Sequence, residues 1–88
     1  MNHNSYSDGN VQNLEFINDG QRISIGVVEP GEYSFTSEAS EHVTCITGKI
    51  TINGEPIGPG QSATIDTNSP FTLSVEQTSS YLCKYSNE

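Results

Sequence analysis

The side chains best suited to acid, base or charge-stabilising chemistry fall between Glu29 and Glu41, where four glutamates share one predicted strand–turn–strand region. In a chain with a formal net charge of -8, a solvated acidic surface accounts for Glu29 and Glu38. Glu41 differs because it alternates with the apolar residues Val43 and Cys45, which points it toward an interior face. A carboxylate in that position is either paired or takes part in chemistry.

Arg22 is the strongest candidate for binding an anion. It opens a predicted strand, and its guanidinium can hold a carboxylate or phosphate through two parallel hydrogen bonds. A surface ion pair is the alternative interpretation of the same residue. The other two cations are Lys49, expected to be exposed after the turn residue Gly48, and Lys84, expected at the rim of the last strand.

Metal and thiol chemistry are disfavoured by the spacing of their residues. His3 lies in a polar segment, His42 stands alone, and the two cysteines are too far apart in sequence for paired-ligand spacing. We therefore predict no metal and no cofactor. Both Cys45 and Cys83 sit within apolar alternation, so buried core cysteines are preferred over a nucleophile.

The charge balance and the apolar pattern exclude several partners and locations. Eleven Asp and Glu against three Lys and Arg argue against nucleic acid and against an anionic membrane surface. No segment approaches the roughly 18 consecutive apolar residues of a membrane span. Residues 1–10 lack the apolar core of a secretory signal, and two cysteines without such a signal indicate reduced thiols in the cytoplasm.

The elements that must position these residues are strands. Eight Ile, five Val and eight Thr, against two Ala and three Leu, favour β-structure. Period-two alternation between turn signals predicts an all-β single domain over residues 5–86, a jelly-roll β-barrel of about eight antiparallel strands, after a flexible tail at residues 1–4. The predicted strands are 10–17, 22–28, 31–37, 41–47, 49–53, 61–66, 70–76 and 79–85. Several are apolar on both faces and the core is small, which favours a homodimer.

Four segments together resemble a known family, the small pyrimidine/purine nucleoside phosphorylases, which are single cupin domains. The segments are Ser24-Ile25-Gly26-Val27-Val28, Pro30-Gly31-Glu32-Tyr33-Ser34-Phe35, Glu41-His42-Val43-Thr44 continuing to Ile46-Thr47-Gly48, and Ser79-Ser80-Tyr81-Leu82-Cys83-Lys84-Tyr85. The resemblance extends from Tyr6 to Tyr85, and Pro59-Gly60 resembles the turn that opens the second cupin motif. The histidines of metal-binding cupins are missing here.

This resemblance implies phosphorolysis of purine and pyrimidine ribonucleosides by inorganic phosphate, without a metal and with broad base specificity, by a homodimer. The residues that it brings into a site are Arg22 and Lys84 for phosphate, Glu32, Tyr33 and Glu41 for ribose and charge stabilisation, and Tyr81 and Tyr85 for stacking on the base. Core packing is the alternative for the two C-terminal tyrosines.

Two departures from the family pattern bear on activity. Lys84 stands where relatives often have an arginine, which removes bidentate geometry, and the segment 53–61 is short. A non-catalytic cupin module that binds a small polar ligand, such as a sugar or a nucleoside, is therefore the alternative function. A dimer with a purely structural role, binding no ligand, is a third interpretation.

Overall fold

The computed structural model describes residues 1–86, and in that range the chain forms ten strands, all in antiparallel pairs. A single 3-10 turn, Ser7–Gly9, follows the first strand. The strands are β1 (Asn2–Tyr6), β2 (Val11–Asn18), β3 (Gln21–Val28), β4 (Gly31–Thr36), β5 (Ser40–Thr47), β6 (Ile50–Ile52), β7 (Glu55–Ile57), β8 (Ser62–Ile65), β9 (Pro70–Val75) and β10 (Ser79–Ser86).

The strands form two sheets that enclose one core. The larger sheet has the order β1-β2-β3-β10-β5-β8, and the smaller has the order β4-β9-β6-β7. Val28 and Cys83 from the larger sheet and Ile50 and Leu73 from the smaller belong to the same buried cluster. The prediction of an all-β antiparallel domain is confirmed, and the number of strands is ten instead of eight.

The two strands that the sequence pattern missed are both edge strands. The residues of β1 are almost all polar, yet Asn2, His3 and Asn4 pair with Glu15, Leu14 and Asn13 of β2, so residues 2–4 belong to a strand. Backbone hydrogen bonds to a neighbour need no apolar side chains, and for that reason alternation gave no signal there.

The other missed strand, β7, contains only three residues, one of which is Pro56. It pairs with β6 through a hairpin at Asn53-Gly54, where both residues have positive φ angles of 50° and 81°. Asn-Gly is the strongest sequence signal for such a turn, and the sequence did identify it. A proline is tolerated in β7 because this strand lies at the edge of its sheet.

Alternation assigns side chains to the two faces of the larger sheet as predicted. Tyr81, Cys83 and Tyr85 point into the molecule, and Leu82 and Lys84 point outward. Within residues 1–86, no helix has the length and apolar character to cross a membrane.

Candidate functional site

A cavity of about 340 Å³ lies between the inward faces of the two sheets. The larger sheet supplies most of its polar side chains, and the smaller sheet supplies Phe35, Phe71 and Leu73. The segment 36–39, which begins at the last residue of β4, forms part of its wall. Small-molecule sites have volumes of roughly 300 to 1,000 Å³ and combine an apolar lining with a few polar groups. This cavity is therefore the candidate functional site.

Arg22 enters the cavity from the start of β3 and is already paired. Its Nε donates to Glu15 Oε2 at 2.8 Å and its Nη2 donates to Glu15 Oε1 at 3.4 Å. The hydrogen bond to Glu15 raises the pKa of the guanidinium above its ordinary value. The guanidinium also lies 4.3 Å from the centroid of the Tyr85 ring, in cation–π geometry. Its orientation is thus fixed from two sides.

Glu41 lies in the same cavity, as its alternation with Val43 and Cys45 predicted. Its Oε2 accepts a hydrogen bond from the Ser37 hydroxyl at 2.5 Å, and its Oε1 accepts one from the Cys83 thiol at 3.2 Å. The carbonyl of Ala39 lies on the same hydroxyl, so it shares the single Ser37 proton with Glu41 Oε2. Ser37 belongs to the segment 36–39, so Glu41 joins this part of the wall to the sheet behind it.

A chain of hydrogen-bonded side chains runs from Asn4 to the cavity residues Asn13 and Tyr81. Asn4 Nδ2 donates to Asn13 Oδ1 at 3.0 Å, and Asn13 Nδ2 donates to the hydroxyl of Tyr81 at 3.2 Å. Burial raises the pKa of Tyr81 to about 12, and the hydrogen bond from Asn13 opposes that rise. The Tyr81 ring covers Gly26, where an added Cβ would lie 2.4 Å from the ring Cζ. Glycine at this position therefore lets the ring lie against the sheet.

Tyr85, the other tyrosine of β10 that lines the cavity, is also held by a hydrogen bond. The hydroxyl of Tyr85 hydrogen-bonds to Ser24 Oγ at 2.8 Å, and burial raises the pKa of Tyr85.

Burial also raises the pKa of the Cys83 thiol, and the nearby Glu41 raises it further. Cys83 and Cys45 are 0% and 1% exposed, so both are core cysteines, as preferred from the sequence.

Aromatic rings from two edge strands line another part of the cavity. Tyr6 of β1 and Phe35 of β4 meet edge to face, with ring centroids 5.6 Å apart. Phe35 also contacts Phe71 of β9 at a centroid distance of 5.6 Å. Tyr6 is 43% exposed, so this part of the cavity opens to solvent.

Four of the predicted site residues line this cavity and three do not. Arg22, Glu41, Tyr81 and Tyr85 are brought together there. Glu32 points to the exposed face of β4, because it alternates with the inward residues Tyr33 and Phe35.

The other two residues are held elsewhere. Tyr33 donates its hydroxyl to the carbonyl of Glu29 at 2.8 Å, away from the cavity. Lys84 is exposed on the outward face of β10, where its register partner on β5 is His42.

Sequence reasoning missed Glu15, Asn13 and Tyr6 as lining residues. Alternation in β2 was a signal for Glu15 and Asn13, since both share a face with the apolar Val11. No signal was available for Tyr6, because its strand was not recognised.

In the described part of the chain, no three His, Cys, Asp or Glu side chains are grouped so that they could hold a metal ion. Among residues 1–86, the charged residues that line the cavity are Arg22, Glu15, Glu38 and Glu41, one cation and three carboxylates. Such a set can bind an anion through the N–H groups of Arg22 that Glu15 does not occupy, and it offers acceptors for hydroxyl groups.

Comparison with known proteins gives consistent matches over most of the chain. A family model described as pyrimidine/purine nucleoside phosphorylase matches residues 1–85. A protein of that name from Yersinia enterocolitica is 42% identical over 89 residues, covering 93% of this chain and 94% of its own length. A protein of the same name from Vibrio parahaemolyticus is 39% identical over 88 residues, with the same coverage.

Solved structures show the same architecture. A crystal structure of a protein from Vibrio parahaemolyticus superimposes with a TM-score of 0.89 at 37% sequence identity, covering 94% of this chain and 95% of that one. Ectoine synthase from P. lautus superimposes with a TM-score of 0.75 at 20% identity, covering 89% of this chain and 64% of that one. The second likeness concerns the fold alone, which is cupin-like.

Proposed function

Since this chain belongs to the pyrimidine/purine nucleoside phosphorylase family, we propose that it catalyses the phosphorolysis of purine and pyrimidine ribonucleosides. An oxygen of inorganic phosphate forms a bond to C1′ of the ribose while the bond from C1′ to the base nitrogen breaks. The electron pair of the broken bond stays on the base, which takes up a proton. The products are the free base and ribose 1-phosphate.

The proposal rests on the position of Arg22 and Glu41 in one cavity. Arg22 would bind phosphate, because a guanidinium offers two parallel donors to a phosphate face. Glu41 would stabilise the positive charge that develops on the ribose as the bond to the base weakens. Its two hydrogen bonds, from Ser37 and Cys83, hold the carboxylate in one orientation.

Tyr81 and Tyr85 support these two groups in the proposal. The Tyr85 ring lies against the guanidinium of Arg22, and the Tyr81 hydroxyl accepts a hydrogen bond from Asn13, which also lines the cavity. Glu32, Tyr33 and Lys84 take no part, because their side chains lie outside the cavity. We further propose that the reaction needs no metal, because Arg22 can supply the positive charge that the phosphate requires, and that the enzyme accepts many bases.

The proposed assembly is a homodimer formed through the outward face of the larger sheet. Leu14, Ile25 and Val27 on this face are 44%, 44% and 48% exposed. One row across it reads His3, Leu14, Ile25, Leu82, Thr44 and Ser62, without a carboxylate. Two chains that each carry a net charge of -8 repel each other least through a face of this kind.

Sedimentation velocity tests this assembly. Ile25→Glu should convert the dimer to a monomer, whereas Ser34→Glu, a charge added to the exposed face of β4, should leave it dimeric. A native protein that sediments as a monomer at micromolar concentration contradicts the proposal.

A cytoplasmic location is proposed from the two free thiols, Cys45 and Cys83.

Chromatography of reaction mixtures tests the proposed activity. Uridine, inosine and adenosine should each give free base when phosphate is added, and none without it. Chelator-treated protein should react at the same rate. Arg22→Ala should abolish base release while circular dichroism stays native, and base release that does not depend on phosphate would refute the proposal.

The charged residues that line the cavity also support an alternative function, the binding of a neutral ligand without catalysis. The cation that lines it is already paired with Glu15, and a site of carboxylates and amides suits neutral hydroxyl groups. A non-catalytic module that binds a nucleoside or a sugar would show saturable heat of binding in calorimetry, with no product after prolonged incubation with phosphate.

A further inference from the structure

The inward side chains of β2 change in character along the cavity. Val11 stands beside Tyr6 in the register of β1 and β2, Asn13 follows beside the Tyr81 hydroxyl, and Glu15 comes last, paired with Arg22. Alternate residues of a strand are about 6.6 Å apart, so these three side chains line the cavity at regular intervals along β2. The lining thus passes from apolar and aromatic, through amide, to charged.

This gradient matches the parts of a nucleoside with its phosphate: a flat base, a hydroxylated sugar and an anion. The phosphate end is fixed by Arg22 if the proposed function holds, and this inference rests on that function. The base then belongs at the opposite end of the gradient, where the lining is aromatic.

The two tyrosines of β10 are poorly placed to stack on a base. The ring of Tyr85 is covered on one face by the guanidinium of Arg22 at 4.3 Å. Tyr81 is 8% exposed, and its ring packs on the backbone at Gly26. Tyr81 therefore presents no free ring face of the size that a base would cover, and the guanidinium of Arg22 occupies one of the two faces of Tyr85.

Tyr6 and Phe35 offer such a surface. They belong to β1 and β4, which are edge strands of the two sheets, and Tyr6 is 43% exposed at the cavity. Phe35 is backed by Phe71, which holds its ring in place. We infer that Tyr6 and Phe35 form the subsite for the nucleobase, which enters between the two sheet edges and packs against these rings.

Stacking on aromatic rings tolerates different bases, because every base has a π-face. This subsite would therefore distinguish bases by size more than by their hydrogen-bonding groups. A purine covers more of the two rings than a pyrimidine, so loss of a ring should affect purine nucleosides more strongly.

Steady-state kinetics with inosine and uridine test the subsite. Tyr6→Leu and Phe35→Leu should raise the KM for inosine by about tenfold and that for uridine by less, with the KM for phosphate unchanged. Tyr33→Leu removes an aromatic ring of β4 that lies outside the cavity and should keep the wild-type KM for both nucleosides. If Tyr6→Leu and Phe35→Leu fold, as judged by circular dichroism, and keep the wild-type KM for both nucleosides, the assignment is overturned.

A binding measurement separates this inference from the proposed function. If wild-type protein releases no base with phosphate, the proposed function fails, and adenosine is then titrated into the protein while the aromatic ring signals are followed by NMR. Shifts of the Tyr6 and Phe35 rings would still support the subsite. Shifts confined to other rings, or none at millimolar adenosine, would overturn it, and the same titration decides the case if a leucine variant does not fold.

Discussion

Glu15 holds Arg22 by two hydrogen bonds, at 2.8 Å between Oε2 and Nε and at 3.4 Å between Oε1 and Nη2. The two residues lie on neighbouring strands, and Asn4 Nδ2 donates to the same Oε1 at 3.4 Å. A phosphate that binds Arg22 therefore shares the guanidinium with a carboxylate of the protein, whose negative charge lies close to it. This repulsion limits phosphate affinity in a chain that is already strongly negative.

Removal of that carboxylate should strengthen phosphate binding. In Glu15→Gln we expect the KM for phosphate to fall roughly three- to tenfold, because the guanidinium is no longer neutralised and one negative charge is gone. Glu55→Gln removes an equal charge from the exposed strand β7 and should leave this KM unchanged. A KM that rises in Glu15→Gln would mean that Glu15 serves to orient Arg22, contrary to the prediction.

Loss of the charge on Glu41 should slow the chemical step. Glutamine at position 41 keeps the shape and can accept the hydrogen bond from Ser37, but it cannot offset positive charge on the ribose. We expect kcat to fall by roughly a hundredfold, with the melting temperature little changed. Glu76→Gln, a matched loss of charge at an exposed site, should keep wild-type kcat. Equal kcat values in the two variants would remove Glu41 from the mechanism.

Gly26→Ala should destabilise the protein through Tyr81. The added methyl group would meet the ring Cζ at 2.4 Å and the hydroxyl oxygen at 2.5 Å, which forces the ring toward the cavity. We expect the free energy of unfolding in urea to fall by about 1 to 3 kcal/mol. Gly58→Ala is the control, since an added Cβ there would meet only Gln61 Oε1 at 3.6 Å.

A double-mutant cycle identifies the cause of that destabilisation. In a Tyr81→Leu background the alanine at position 26 should cost markedly less, because the flat ring is gone. Additive effects of the two substitutions would show that the clash with Tyr81 is not responsible.

Stability should fall at alkaline pH. Burial raises the pKa of Tyr81 from 10.0 to about 12, so the folded state holds its proton more tightly than the unfolded state does. The resulting stabilisation is fully present below pH 10 and is lost as the pH rises toward 12. For Tyr81 it amounts to roughly 3 kcal/mol. Cys83 and Tyr85, whose pKa values are raised in the same direction, steepen the decline.

Urea midpoints measured between pH 7 and pH 12 test this dependence. They should be level near neutral pH and should decline from about pH 9 onward, where free thiols begin to ionise. Tyr81→Phe should flatten the curve between pH 10 and pH 12. A wild-type midpoint that is constant up to pH 11 would contradict the prediction.

Much of the fold was predictable because it depends on local signals. Alternation in β3, β5 and β10 fixed which side chains face inward, and the turns at Asn18-Asp19-Gly20 and Asn53-Gly54 carry residues that adopt positive φ angles readily. Strands β1 and β7 were missed because pairing at a sheet edge depends on the neighbouring strand, not on the residues of the strand itself.

The site was predictable only in part. The inward direction of Glu41 followed from its alternation partners, and the family resemblance brought in Arg22. The resemblance could not separate Glu32, which points outward from β4, from residues that line the cavity. Glu15 had no sequence feature that linked it to Arg22, since the contact requires β2 and β3 to pair in one particular register.

By itself the sequence determined an all-β chain, its inward and outward faces, its family, and a large excess of carboxylates. Only the tertiary structure decided which charges meet: it paired Arg22 with Glu15, gave Glu41 the Ser37 and Cys83 donors, and brought Tyr6 of the first strand against Phe35 of the fourth. Composition and alternation are properties of residues that lie near one another in the sequence, so they can be recognised without the folded structure. Contacts across sheets depend on strand order and register, which follow from packing the whole core.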